Sequence, residues 1–270
     1  MWLKLKVTTI TISDISAMQL DQALPDGGGK AFKVNPQHLA KLRTCAKPAI
    51  WSGSRPLSWA NWVGGRTVAP YRNYLSDTCP TRSALTALCG KPSVPIEAAF
   101  LSIMAWGGMH RLHGRRAWRA RNDGLLETMS WIKAAQPSRL ASYRAFQQLA
   151  CGGNLPGIGP AYFTKLIFFL NPHSHAYIMD QWTAKSINLL FGAFIRLNLG
   201  VDRGRDSVPK NTSADVYETF CRSIDELVNL IPCSDGSEAE RLIFSQSRPT
   251  PQHWRYYLKQ SWDPGNDNAK

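Results

Sequence analysis

Two glycines and one isolated acid stand where this chain could do chemistry. The glycines lie in Leu155-Pro156-Gly157-Ile158-Gly159-Pro160, and the acid, Asp180, follows 21 residues after Gly159. Two glycines around one aliphatic residue make a tight hairpin, because glycine tolerates positive φ and leaves its backbone N–H groups uncovered. Pro160 suits the first position of a helix, where a missing N–H costs nothing. A glycine turn feeding a helix N-terminus is a ready anion site. Lys165 is the only charge in the apolar run 160–170. An amine there either reaches outward along its stem or sits at a site that lowers its pKa, where it could act as a nucleophile or touch a phosphate.

Asp180, just before Gln181-Trp182, reads first as a helix N-cap. Its interval from the hairpin adds to that. A helix over 160–170 runs away from the hairpin, and a return through Asn171-Pro172-His173-Ser174-His175 brings Asp180 back beside it. The positive end of a helix dipole then keeps the carboxylate ionised.

Elements that position these residues follow from periodicity. The spacing predicts helices over 36–46, 95–109, 123–135, 138–150, 160–170, 180–198, 213–230, 237–245 and 251–262, with Ser93 as cap and Glu97 in the first turn of the second. Val7–Ile12 reads as a short strand, 25–30 as a loop and 51–80 as packed irregular structure with one short helix. Residues 202–209 read as a polar, basic loop. The expectation is a mostly α fold with at most a short N-terminal β element. Residues 1–92 form a helical and irregular region on a core at 93–262, and 263–270 is a disordered tail.

The motif as a whole, Leu-Pro-Gly-Ile-Gly at 155–159, a helix and then Asp180, resembles the helix-hairpin-helix DNA glycosylase superfamily, and within it the 8-oxoguanine DNA glycosylase-like branch. The resemblance is good over 95–198. It implies that the hairpin (Gly157, Gly159, Ala161) binds the backbone of double-stranded DNA and that Asp180 assists departure of a modified base. Phe100 to Met109 resembles the family helix that ends in a DNA-probing loop. Trp106, Gly107, Gly108 and Met109 then belong to base flipping and the base pocket, with Trp106 either a wedge or core. The basic stretch that follows offers Arg111, Arg115, Arg116 and Arg119 to the DNA backbone. Two departures stand out. The catalytic lysine of bifunctional members falls on Ala161, with Lys165 one turn further along the same side, and a histidine often found after the acid is Trp182 here. Lys165 therefore decides between an amine and a water as nucleophile, and between a strand-nicking and a simple glycosylase. The excised base is either an oxidised one, in repair, or a hypermodified cytosine such as glucosylated hydroxymethylcytosine, in defence against phage.

Composition agrees with a nucleic-acid partner. In 270 residues, 32 Lys+Arg outweigh 19 Asp+Glu for a net charge of +13. The six cysteines lack CxxC spacing, which argues against zinc and iron–sulfur sites and for reduced thiols. No cofactor is expected beyond a structural monovalent cation at the hairpin. No stretch approaches the ~18 apolar residues of a membrane span, and Met1–Lys6 with its short Thr-rich sequel makes a poor signal peptide. A cytoplasmic monomer is expected. The rival reading is a non-catalytic helix-hairpin-helix DNA clamp, which has no use for an acid at Asp180. An RNA-binding protein lacks a supporting motif.

Overall fold

The structure, a computed structural model, describes residues 33–45, 47, 51, 53–200, 206–245 and 253–262. The strand read at 7–12, the loop at 25–30, the tail at 263–270 and residues 202–205 of the basic loop lie outside the described residues. All the described residues belong to one compact unit. They are helical, with no strand among them and a single antiparallel bridge between Asn198 and Ser207.

In chain order the helices are α1 (Pro36–Cys45), α2 (Pro56–Gly64), a 3-10 stretch (Gly65–Tyr74), α3 (Arg82–Gly90), α4 (Ile96–Trp106), α5 (Arg111–Arg119), α6 (Asp123–Ala135), α7 (Arg139–Cys151) and α8 (Pro160–Leu170). A short 3-10 turn (Pro172–Ser174) leads to α9 (Gln181–Phe191), α10 (Ala214–Leu230), α11 (Gly236–Phe244) and α12 (Trp254–Ser261). Most starts are fixed by side chains that take an orphan N–H of the first turn. Thr81, Asn122, Ser138, Ser213 and Asp235 each do so, a contribution of about 1 kcal/mol apiece.

Three expectations about elements are corrected. Helix α4 starts at Ile96 with Pro95, not Ser93, before it, and ends at Trp106, because Gly108 turns to φ +67 and Met109 N–H bonds back to Met104 O at 3.1 Å. Helix α9 stops at Phe191 instead of continuing to 198. Gly192 takes φ +91, and Asn188 Oδ1 accepts from the N–H groups of Phe194 (3.2 Å) and Ile195 (3.0 Å), turning the chain back on itself. Two helices went unread, α3 and α5. Each is nine residues long, and each carries its buried positions at helical spacing: Leu85 and Cys89 in α3, Gly114, Ala117 and Trp118 in α5.

Helix α8 is the hub of the first half of the fold. It packs against α3, α4, α6 and α7, which is why it can be apolar nearly all round. The second half gathers around α9, which packs against α1, α10, α11 and α12. The two halves are tied where the chain passes from α8 to α9. Thr164 Oγ1 in α8 accepts from Met179 N–H at 3.2 Å, and Thr183 Oγ1 in α9 donates to Ile178 O at 2.9 Å. The segment ending at Asp180 is thereby pinned between both helices.

Helix α5 is held by close approach to α2. A Cβ on Gly114 would lie 2.4 Å from Cζ2 of the buried Trp59, whose Nε1–H donates to Met109 O at 2.9 Å. Gly114→Ala must therefore push α5 off α2. The expected outcome is a loss of roughly 1–3 kcal/mol of stability, read as a lower Tm by calorimetry. An unchanged Tm would contradict this packing.

Candidate active site

The hairpin between α7 and α8 has the form its glycines predict. Gly157 takes φ +80, and its Cβ position lies 3.1 Å from His113 O, so the turn rests on the backbone of α5. Any larger residue would be strained there and would also press on α5. Leu155 and Ile158 are buried beneath the turn. The N–H groups of Gly157, Gly159 and Ala161 have no acceptor among the described residues. They stand at the N-terminus of an 11-residue helix, a geometry suited to an anion. Lys210, which the sequence reading passed over, is exposed beside it, with Cγ 3.8 Å from the Cβ position of Gly159.

The arginines of the basic stretch lie on α5 next to this turn. Arg116 and Arg119 are exposed. Arg111 and Arg115 stack over Trp62 at 5.4 and 4.3 Å, and Arg115 Nη2 donates to Trp62 O at 3.2 Å. These two side chains are thus held on an aromatic platform while their charge stays at the surface.

A cavity of about 880 Å³ opens between α3, α8 and α11 and is lined by Trp51, Arg82, Trp106, Gly107, Lys165, Phe168, Tyr177, Asp180, Glu240 and Phe244 among others. It brings Asp180 and Lys165 together. Asp180 caps α9: its Oδ1 accepts from Trp182 N–H (2.8 Å) and Thr183 N–H (3.1 Å), while Thr183 Oγ1 accepts from Asp180 N–H (2.9 Å). No described residue donates to Oδ2. Capping therefore engages one oxygen of Asp180 and leaves the other available to the cavity that the residue lines.

Lys165 is buried, 7% exposed, and its amine folds back one turn to donate to Ala161 O at 2.6 Å. The amine thus reaches the level of Ala161, the position the family lysine would occupy. Burial holds it below the usual lysine range; the Arg82 charge pushes the same way, and Asp180 and Glu240 oppose them. Gly107 makes this placement possible, since a Cβ there would stand 2.8 Å from Lys165 Cδ. The glycine after Trp106 is therefore a groove for the lysine stem.

Of the other expected pocket residues, Trp106 lines the cavity, whereas Gly108, Met109 and Trp182 do not. Trp106 is only 5% exposed and packs edge-on against Phe169 at 4.8 Å, so it is a wall of the cavity and not a wedge projecting toward DNA. Gly108 and Met109 do not line the cavity. Gly108 turns away against Trp51, and Met109 is buried under Trp59. Trp182 points to the other side of Asp180, where Arg255, Lys185 and Lys259 surround its ring at 4.6, 4.9 and 5.5 Å. Burial lowers the Arg255 guanidinium to about 10, against the pull of Asp180.

Arg82 and Glu240 were missed by sequence. They pair at 2.6 Å, and burial raises the Glu240 carboxyl while Arg82 opposes that rise. Arg82 lay in an unread helix. Glu240 had a readable signal, a charge among the apolar positions Ala239, Leu242 and Ile243 of α11. Among the described residues no group of three or more His, Cys, Asp or Glu is placed to hold a metal ion, and all six cysteines are unpaired. No helix there is long and apolar enough to cross a membrane.

The buried amine has a thermodynamic consequence. Lys165 is lowered in the folded chain, so the unfolded chain holds the proton more tightly. Stability must then rise with pH from the lowered value up to the ordinary lysine value of 10.5. Lys165→Met removes this slope and is expected to keep or raise the Tm at neutral pH, read by thermal unfolding between about pH 7 and 10. A variant with a lower neutral Tm and the wild-type slope would contradict the burial of a strained amine.

Comparison with known proteins agrees with this geometry. The family model described as "Putative 8-oxoguanine DNA glycosylase OGG-like protein" matches residues 46–244, which include the hairpin, Lys165, Asp180 and the Arg82–Glu240 pair. No curated protein and no solved structure was found to match. The matched span covers most of the chain, and with the hairpin, the helical fold and the acid-and-amine cavity it shows that this chain belongs to the 8-oxoguanine DNA glycosylase-like family of DNA glycosylases.

Proposed function

We propose that this chain excises a modified base from double-stranded DNA, with Lys165 as nucleophile and Asp180 as the stabilising carboxylate. The observation that carries the reading is the placement of a buried amine, biased toward its neutral form, on the wall of the cavity that Asp180 also lines. The hairpin N–H groups of Gly157, Gly159 and Ala161 grip a phosphate, and Arg111, Arg115, Arg116 and Arg119 on α5 add backbone contacts. The extruded nucleotide enters the cavity between Trp106 and Phe168.

The chemistry follows from the two groups. The amine lone pair of Lys165 forms a bond to C1′ as the C1′–N bond breaks and its electron pair leaves with the base. Asp180 stabilises the positive charge that develops on the sugar, and a carboxylate aimed at developing charge is worth about 10²–10³ in rate. Loss of an amine proton to Asp180 or solvent and opening of the sugar ring give a Schiff base, from which the strand can be nicked by elimination. The turn carbonyls, Leu155 O among them, are oxygen donors suited to a monovalent cation that would hold the hairpin in shape.

The cavity volume, about 880 Å³, lies in the upper part of the range that encloses drug-sized ligands. Its lining is mostly apolar and also offers the polar side chains of Thr81, Ser83, Thr86, Asp235 and Ser237. Both features favour a base with a bulky hydroxylated substituent, such as glucosylated hydroxymethylcytosine, over a plain oxidised purine.

Excision from duplexes carrying 8-oxoguanine, uracil or glucosylated 5-hydroxymethylcytosine tests the reading. The expected result is release of the last base, with a borohydride-trapped adduct that Lys165→Gln abolishes. Asp180→Asn is expected to lose about 10²–10³-fold in excision rate while binding DNA normally. Excision that persists without any trapped adduct would remove Lys165 as nucleophile, and full activity of the Asp180 variant would leave a DNA clamp as the better description.

A further inference from the structure

The mechanism above gives the sugar a partner but leaves the departing base without one. The cavity holds a second charged pair that it does not use. Arg82 rises from α3 with its side chain 19% exposed, and Glu240 on α11 is almost wholly enclosed. Several contacts fix the guanidinium, three of them close. Nη2 donates to Glu240 Oε2 at 2.6 Å, Nη1 donates to Ser237 Oγ at 3.1 Å, and the plane lies over Phe168 at 4.5 Å. Its Nε–H has no acceptor among the described residues. The guanidinium is thus held rigid on the aromatic wall, with donor capacity left over, in the cavity that receives the base.

We propose that Arg82 is the leaving-group residue of this site: it donates to an acceptor atom of the extruded base and takes up the negative charge that the base acquires as the C1′–N bond breaks. Glu240 is a positioning residue, which holds the fork and lets it be buried at low cost. The proposal rests on the glycosylase reading and adds the side of the reaction that faces away from Lys165. No proton is transferred by Arg82. The bonding pair goes to the base, which takes its proton from solvent on release. A donor already in place needs no reorganisation as charge develops, which is where such a group is most effective. The class of base this selects is one with a hydrogen-bond acceptor on the edge presented to α3.

The test compares wild type with Arg82→Lys, Arg82→Met and the double variant Arg82→Met with Glu240→Leu, which leaves no buried carboxylate unpaired. Single-turnover excision is measured on the modified-base duplexes named above, and binding is measured to a duplex with a tetrahydrofuran abasic site, which has no base. The expected result is a loss of about 10²-fold in excision rate for Arg82→Met and the double variant, and a smaller loss for Arg82→Lys. Binding of the abasic duplex should stay within about twofold, and product inhibition by the free base should weaken. An active wild type with an equally active double variant overturns the role of Arg82 alone. Equal loss of excision and of abasic-duplex binding assigns Arg82 to structure and also overturns it. A wild type inert on every duplex overturns the glycosylase reading and this role with it.

Discussion

Helix α8 has to be buried along its length and open at its first turn. The rest of the molecule is arranged around that requirement. The open turn presents Gly157, Gly159 and Ala161 N–H groups toward an anion. One turn later the helix is enclosed by α3, α4, α6 and α7, and there it carries an amine. Enclosing a lysine costs free energy unless the charge is relieved. The chain relieves it by returning the amine to Ala161 O, toward the open end, and by making a groove for the stem at Gly107. The tie from Thr164 to Met179 then holds the segment that carries Asp180 against α8, and Asp180 lines the same cavity as Lys165. A site for an amine and an acid is thus a by-product of how one helix is packed.

Of the ionisable groups that line the cavity, four act on one another, two acids and two bases: Asp180, Glu240, Lys165 and Arg82. Arg82 and Glu240 are in contact, which leaves Lys165 with Asp180 as its nearest uncommitted counter-charge. The formal pairing of the quartet explains how so many ionisable groups share one enclosed space. In the proposed mechanism it also separates two tasks across the cavity, with sugar chemistry on the α8 and α9 side and base recognition on the α3 and α11 side.

Much of the site was legible in sequence where the signal is local. The hairpin follows from two glycines and a proline, the capping of α9 from Asp180, and the ends of α6 and α8 from periodicity. Lys165 was legible as an anomaly, a lone charge in an apolar helix. What was not legible depends on contacts between distant segments. Trp106 ends an apolar helix next to two glycines, a pattern equally suited to a mobile wedge or to a core residue. Only the position of Phe169 on α8 makes it core. Arg82 and Glu240 are 158 residues apart and meet only because α3 and α11 flank one cavity. Trp182 lies only two residues after Asp180, yet it does not line the cavity and packs instead under Arg255.

The proposed mechanism stands or falls with the bond between the amine of Lys165 and the sugar. Its most direct test is peptide mapping by mass spectrometry of the protein after borohydride reduction in the presence of a substrate duplex. The expected result is a sugar adduct on Lys165. An adduct on another lysine, on the N-terminal amine, or on no residue while the base is released would contradict it.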